Sequence, residues 1–207
     1  MEEKRSSSSG DVPENWPEEF VYSRTSISAE MPIALLRELL ATQNPGDQQI
    51  IIPIIDAQRV HPNLKIEVIT KDLRYKGFRP HLLAGEKAFL GYSHRGLFTT
   101  KFIAKGTELG EYVGCLSLIT RERLAERPRS EYSWFIPFGG LMLVVDPSKV
   151  ANELVFGNDY RDIRSRPNAK PKLITHRGCY YFGYITTENI DAGEEVLVNY
   201  GEHYRFE

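Results

Sequence analysis

The chain has 207 residues, room for one domain of ordinary size with an appendage but not for two full domains. Hydrophobic residues at 41% and charged residues at 26% match a soluble globular protein, and a net charge of −2 excludes a global electrostatic pull toward nucleic acid, so any basic partner needs a local acidic groove. Two cysteines, Cys115 and Cys179, are too few for a disulfide framework or a four-cysteine zinc cluster and fit a reduced compartment, and no 18-residue apolar run or signal-peptide pattern marks a membrane segment.

Residues 1–24 carry a serine tract (Ser6 to Ser9), Pro13, Pro17 and an acidic excess, a composition that resists burial and predicts a flexible tail. Residues 25–80 read as an accessory N-terminal region. In it Ile33, Leu35, Leu36, Leu39 and Leu40 fall on one face at helical spacing, with Ser28 as an N-cap and Pro32 in the first turn. The run Ile50 to Ile55 follows, and then Leu64, Ile66 and Val68 alternate with polar residues as in a half-buried strand.

Beyond residue 86 the chain becomes a series of short β-rich runs punctuated by glycine, at 88–92, 96–100, 108–113, 132–138, 141–146, 180–186 and 195–200. The helix candidate here is 120–127, ended by Pro128. The fold class is therefore mostly β (α+β).

The segment from Phe98 to Leu109 (Phe-Thr-Thr-Lys-Phe-Ile-Ala-Lys-Gly-Thr-Glu-Leu) recurs 87 residues later as Ile185 to Val196 (Ile-Thr-Thr-Glu-Asn-Ile-Asp-Ala-Gly-Glu-Glu-Val). Each copy reads as a strand, a turn whose glycine (Gly106, Gly193) takes a positive φ, and a second strand, so the two copies share one hairpin geometry at the two ends of one domain. Each second strand runs on to a tyrosine, Tyr112 and Tyr200. Between them lies a polar stretch, Gly157-Asn158-Asp159-Tyr160-Arg161 with Pro167-Asn168, rich in side chains that bind their own backbone, which reads as a surface loop or a ligand-binding one.

In this order the motifs resemble the SET domain, the fold of most protein lysine methyltransferases. His94-Arg95-Gly96-Leu97-Phe98 is similar to the family's Gly-x-Gly-Leu-Phe cofactor loop, and Gly110-Glu111-Tyr112-Val113-Gly114 to its first active-site strand. Asn158-Asp159-Tyr160 with Pro167-Asn168 stands where the family has Asn-His-Ser-Cys-x-Pro-Asn, and Gly193 to Gly201 matches its Gly-Glu-Glu-Leu-x-Tyr-Asp-Tyr-Gly end. The resemblance covers about residues 88–207. It implies a β-clip of short sheets with a knot-like C-terminal arrangement over 81–207, with a helical insert at about 116–131 that helps form the substrate groove.

The resemblance also implies an activity, transfer of a methyl group from S-adenosylmethionine to a lysine amine of a protein substrate, histone or histone-like, with a role in chromatin and in a nucleus or the cytoplasm. The nucleus would be that of a host if the protein is a secreted bacterial effector. Tyr200 and Tyr112 take the catalytic positions, and Tyr112 and Val198 line the lysine channel. His94, Arg95, Gly96, Leu97, Tyr132, Asn158 and Asp159 fall on donor-binding positions, and Tyr204 and Phe206 offer flat faces to cover an adenine. No membrane or nucleic-acid contact and no metal is implied.

Departures from the pattern keep other readings open. His94 replaces the loop's first glycine, Asp159 the usual histidine, Val155 the usual arginine, and Val198 the aromatic that influences how many methyls are added. They motivate a catalytically silent SET-like peptide-binding module as the alternative, beside an enzyme acting on a non-histone protein. Taken singly, the tyrosines also read as half-packed strand residues, Asn158 as a turn residue and the pair His176 and Cys179 as an incomplete metal site.

Overall fold

In a computed structural model of the chain, the structure describes residues 12–24, 27–28, 50–51, 60–69, 95–126, 132–138, 141–161, 163–176 and 179–201. These form short sheets around one core. Strands β1 (Val21–Tyr22) to β4 (Leu64–Val68), with β2 at Ile27–Ser28 and β3 at Ile50–Ile51, come from the first third of the chain. The rest supplies β5 (Arg95–Thr99), β6 (Glu108–Glu111), β7 (Cys115–Ile119), a helix α1 (Arg121–Glu126), β8 (Trp134–Phe138), β9 (Leu141–Asp146) and β10 (Val150–Ala151). A 3-10 turn (Glu153–Phe156), β11 (Asn158–Asp159), β12 (Ala169–His176), β13 (Cys179–Thr186) and β14 (Leu197–Val198) complete it.

Two four-stranded sheets organise the domain. In one, β9 lies between β7 and β8, all antiparallel, with β2 parallel on the outer side of β7. Met142 to Val145 are all buried, as expected of an unbroken apolar run with neighbours on both sides. In the other, β13 pairs with β12 along one side and with β3 and β6 in succession along the other. Between the sheets, Leu97, Leu109, Leu143, Leu154, Ile190 and Val196 are wholly shielded from solvent, each side chain stabilising the fold by roughly 1.5–3 kcal/mol.

The repeated hairpins do share one geometry, but they face each other rather than closing opposite ends of the domain. Gly106 and Gly193 have φ of 84° and 83°. The Gly106 N–H donates to the Thr186 carbonyl (3.0 Å) and the Gly193 N–H to the Thr99 carbonyl (2.8 Å). The hydroxyls follow the same symmetry, Thr186 to the Ala104 carbonyl at 2.8 Å and Thr99 to the Asp191 carbonyl at 2.5 Å.

Several expectations are corrected. Residues 12–24 are not a loose tail: β1 runs parallel to β10, and Trp16 and Phe20 pack on the core. The acidic residues face solvent while Trp16, Phe20 and Tyr22 provide the apolar surface that composition averages away. Of the accessory region expected at 25–80, the described strands β2, β3 and β4 pair with strands of the main domain, β4 with β5 over its whole length. The start of the expected insert, 116–119, is strand β7. Strand β12 had no sequence signal because Lys170, Pro171 and Lys172 read as loop; among the described residues only β13 pairs with it, and an edge strand tolerates proline and lysine. The expected 195–200 strand reduces to β14 plus a single bridge from Glu195 to Phe98. Ser28, the expected N-cap, ends β2, while the rest of the amphipathic helix (29–40), the run at 88–92, and His94, Tyr204 and Phe206 lie outside the described residues.

Candidate active site

Tyr200 follows β14, which runs parallel to β11, and that pairing brings it to the Asn158–Asp159 stretch. Asp159 is 3% exposed and its carboxylate is committed inside the protein. Arg161 grips it with two parallel bonds, Nε to Oδ1 at 2.7 Å and a terminal nitrogen to Oδ2 at 2.9 Å, and Oδ2 also accepts the Tyr200 backbone N–H at 2.8 Å. The Asp159 side chain thus anchors the main chain of Tyr200, which leaves its own main chain for the donor-binding role that the resemblance implies. The Tyr200 hydroxyl donates to the Gly157 carbonyl at 3.0 Å.

Tyr112 follows β6 and is buried, its ring edge-on to Trp134 and Phe182 and 5.5 Å from the Tyr184 ring. Its hydroxyl donates to the Tyr132 carbonyl at 2.8 Å. Burial, reinforced by Tyr184 and Tyr200, pushes the Tyr112 hydroxyl well above the usual tyrosine range, so it keeps its proton. Tyr184, missed in the sequence, is wholly buried beside it, and burial raises its hydroxyl too. Tyr112, Tyr184, Trp134 and Phe182 thus form an aromatic cluster, and Tyr200 packs against the same core. Tyr132 is 43% exposed, with its ring 5.6 Å from Phe20.

The expected donor-binding residues divide. The Asn158 amide nitrogen donates both to the Arg95 carbonyl (3.0 Å) and to Glu195 Oε1 (2.6 Å), which joins β11 to the start of β5. The Arg95 Nε donates to the Asn15 carbonyl at 2.8 Å, so the N-terminal segment straps this edge. Leu97 and Val198 are fully buried core residues. A Cβ on Gly96 would stand 2.5 Å from Glu195 Oε1, so here the missing side chain makes room for a carboxyl of the protein itself.

Besides Tyr184, two residues were given no site role by sequence reasoning. Asn168 is fully buried, accepting from the Leu197 N–H and donating to the Glu195 carbonyl, both at 2.7 Å. Its place beside Pro167 was the available signal. Glu195 is 1% exposed, and burial pushes its carboxyl up to about 7 against the opposing pull of the Asn158 amide. It lies where the first repeat has Glu108, which is exposed and bonded to the Tyr181 hydroxyl.

The family model for the SET domain matches residues 94–201, or 108 of the 207 residues. No curated protein matches. Among solved structures, the chain is similar to one in the crystal structure of the Chaetomium thermophilum polycomb repressive complex 2, at 22% identity and a TM-score of 0.43, covering 53% of this chain and 14% of that one. A humanized mutant of the same complex bound to the inhibitor GSK126 gives 21% identity and a TM-score of 0.43, covering 67% of this chain and 15% of that one.

Proposed function

The chain belongs to the SET-domain family, and from that premise we propose that it transfers a methyl group from S-adenosylmethionine to the side-chain amine of a lysine in a protein, histone or histone-like. The observation that carries this reading is the orientation of two hydroxyls. Tyr200 and Tyr112 each give their proton to a main-chain carbonyl, so toward any further partner each oxygen acts only as an acceptor. An acceptor is what an incoming amine needs. In-line displacement requires a neutral amine, a free lysine has a pKa of about 10.4, and apolar aromatic surroundings favour loss of the proton.

When bound, the donor supplies an activated methyl on a sulfonium. The residues that would hold it are the main chain of Arg95 and Gly96 and the side-chain oxygen of Asn158, whose nitrogen is engaged elsewhere. That engagement, with Asp159 turned to Tyr200, also favours the second reading of a silent peptide-binding module.

Incubation of the full chain with labelled donor, histones and whole-cell lysate tests the proposal. The expected result is label on lysine, lowered at least about 100-fold by Tyr200→Phe with an unchanged melting curve. Label confined to other proteins moves the substrate away from histones. No binding of S-adenosylmethionine, even with peptide present, refutes the enzyme.

A further inference from the structure

The two copies of the hairpin put glutamates at equivalent positions, and only one of them is buried. Glu108 reaches the surface; Glu195 goes inward, where its Oε1 takes the Asn158 amide at 2.6 Å and occupies the space that Gly96 leaves open. Its Oε2 is buried with no hydrogen-bond partner among the described residues. A carboxylate in that setting has an unsolvated oxygen, whereas a carboxylic acid does not carry the charge.

We propose that Glu195 is a positioning residue of the donor site: neutral, it rests in the space beside Gly96 and holds the Asn158 amide against the Arg95–Gly96 main chain. Ionised, its buried Oε2 draws the carboxyl toward water, a cost that outweighs the stronger bond to the amide, and the arrangement loosens. The inference rests on the reading of this edge as the donor site. The same Asn158 nitrogen bonds Arg95 and Glu195, so whatever displaces the Glu195 carboxyl moves the junction of β11 and β5.

Charged groups on the neighbouring elements have partners of their own. On β4, Glu67 stands opposite Gly96 and pairs with Lys65. On β5, the Arg95 side chain bonds the Asn15 carbonyl; on β11, Asp159 is held by Arg161; and Glu194 bonds the Asp191 N–H. Burial is the main influence on Glu195, and it brings the change of charge to about pH 7.

The test is the Kd of the full chain for S-adenosylmethionine from pH 5.5 to 8.5. The wild type is expected to weaken about tenfold as pH rises through the range, Glu195→Gln to bind with a flat profile, and Glu195→Ala to bind more weakly throughout. Carboxyl 13C shifts of the glutamate-labelled wild type supply a reading that needs no variant, with a midpoint expected to coincide with that of the binding curve. A flat wild-type profile, an inflection that persists in Glu195→Gln (as a titrating histidine would give), or a separate 13C midpoint overturns the assignment while leaving the donor site standing. Absence of wild-type binding at every pH overturns both.

Discussion

Ile103 and Ile190, 87 positions apart in the chain, each donate a backbone N–H to the other's carbonyl at 2.9 Å. The reciprocal pair lies at the centre of the two facing hairpins, with both side chains buried. Because the copies are joined through each other, neither β5 nor β13 keeps its turn contacts if the other half opens. The repeat is thus a clamp between two distant stretches of chain, and β14, with Tyr200 just beyond it, follows directly from the second copy.

The clamp makes a prediction about its turn glycines. Gly106 and Gly193 have nearly equal positive φ, and an added Cβ would meet no atom within 4 Å at either site. The effect of alanine is therefore conformational alone, about 1–2 kcal/mol. Gly106→Ala and Gly193→Ala should lower unfolding free energy in urea by similar amounts with unchanged m values. Gly96→Ala, which drives a methyl into the Glu195 carboxyl, should destabilise more than either.

Asn168 holds β14 and the residues before it through two main-chain bonds. Alanine there would leave the Leu197 N–H and the Glu195 carbonyl, both buried, without their side-chain partner. A loss of roughly 2–4 kcal/mol is expected. Since Leu197 precedes Tyr200 by three residues, methyl transfer should fall further than the melting curve alone accounts for, measured well below the melting temperature.

The stability of the protein should depend on pH through Glu195. Its carboxyl is raised in the folded state from the ordinary 4.5 to about 7. A raised carboxyl stabilises fully below the unfolded value, and that stability is lost as pH climbs through about 7. The span corresponds to roughly 3 kcal/mol. Denaturant titrations at pH 5 and pH 8 should show the wild type losing stability with rising pH by more than Glu195→Gln does; equal losses would remove Glu195 from the linkage.

How much of this was legible in the sequence depended on distance along the chain. The runs that became β5, β6, β8, β9 and β13 carry their own β signal, and the ordered stations around Tyr112, Asn158 and Tyr200 gave the family. Glu195 was not legible, because Glu194 beside it looks the same and the difference in burial is decided by Gly96 and Asn158, far away in sequence. The partners of the Asp159 side chain, Arg161 and the Tyr200 N–H, were hidden for the same reason, because the second of them depends on the β11 to β14 pairing. Strand β12 hid behind Pro171 and its lysines, which only an edge position permits.

The N-terminal segment yields the sharpest separation of stability from activity. Trp16 meets Phe20, Tyr22 and Phe156 edge-on, and its indole N–H donates to the Phe20 carbonyl. Trp16→Ala should therefore cost roughly 2–4 kcal/mol of stability. Phe20 also touches Tyr132, whose carbonyl receives the Tyr112 proton. Phe20→Leu keeps apolar bulk on the core but removes the ring contact that steadies Tyr132. The expected outcome is a small change in melting temperature with kcat lowered several-fold, while a fall in activity that merely tracks lost stability would show that the segment only packs.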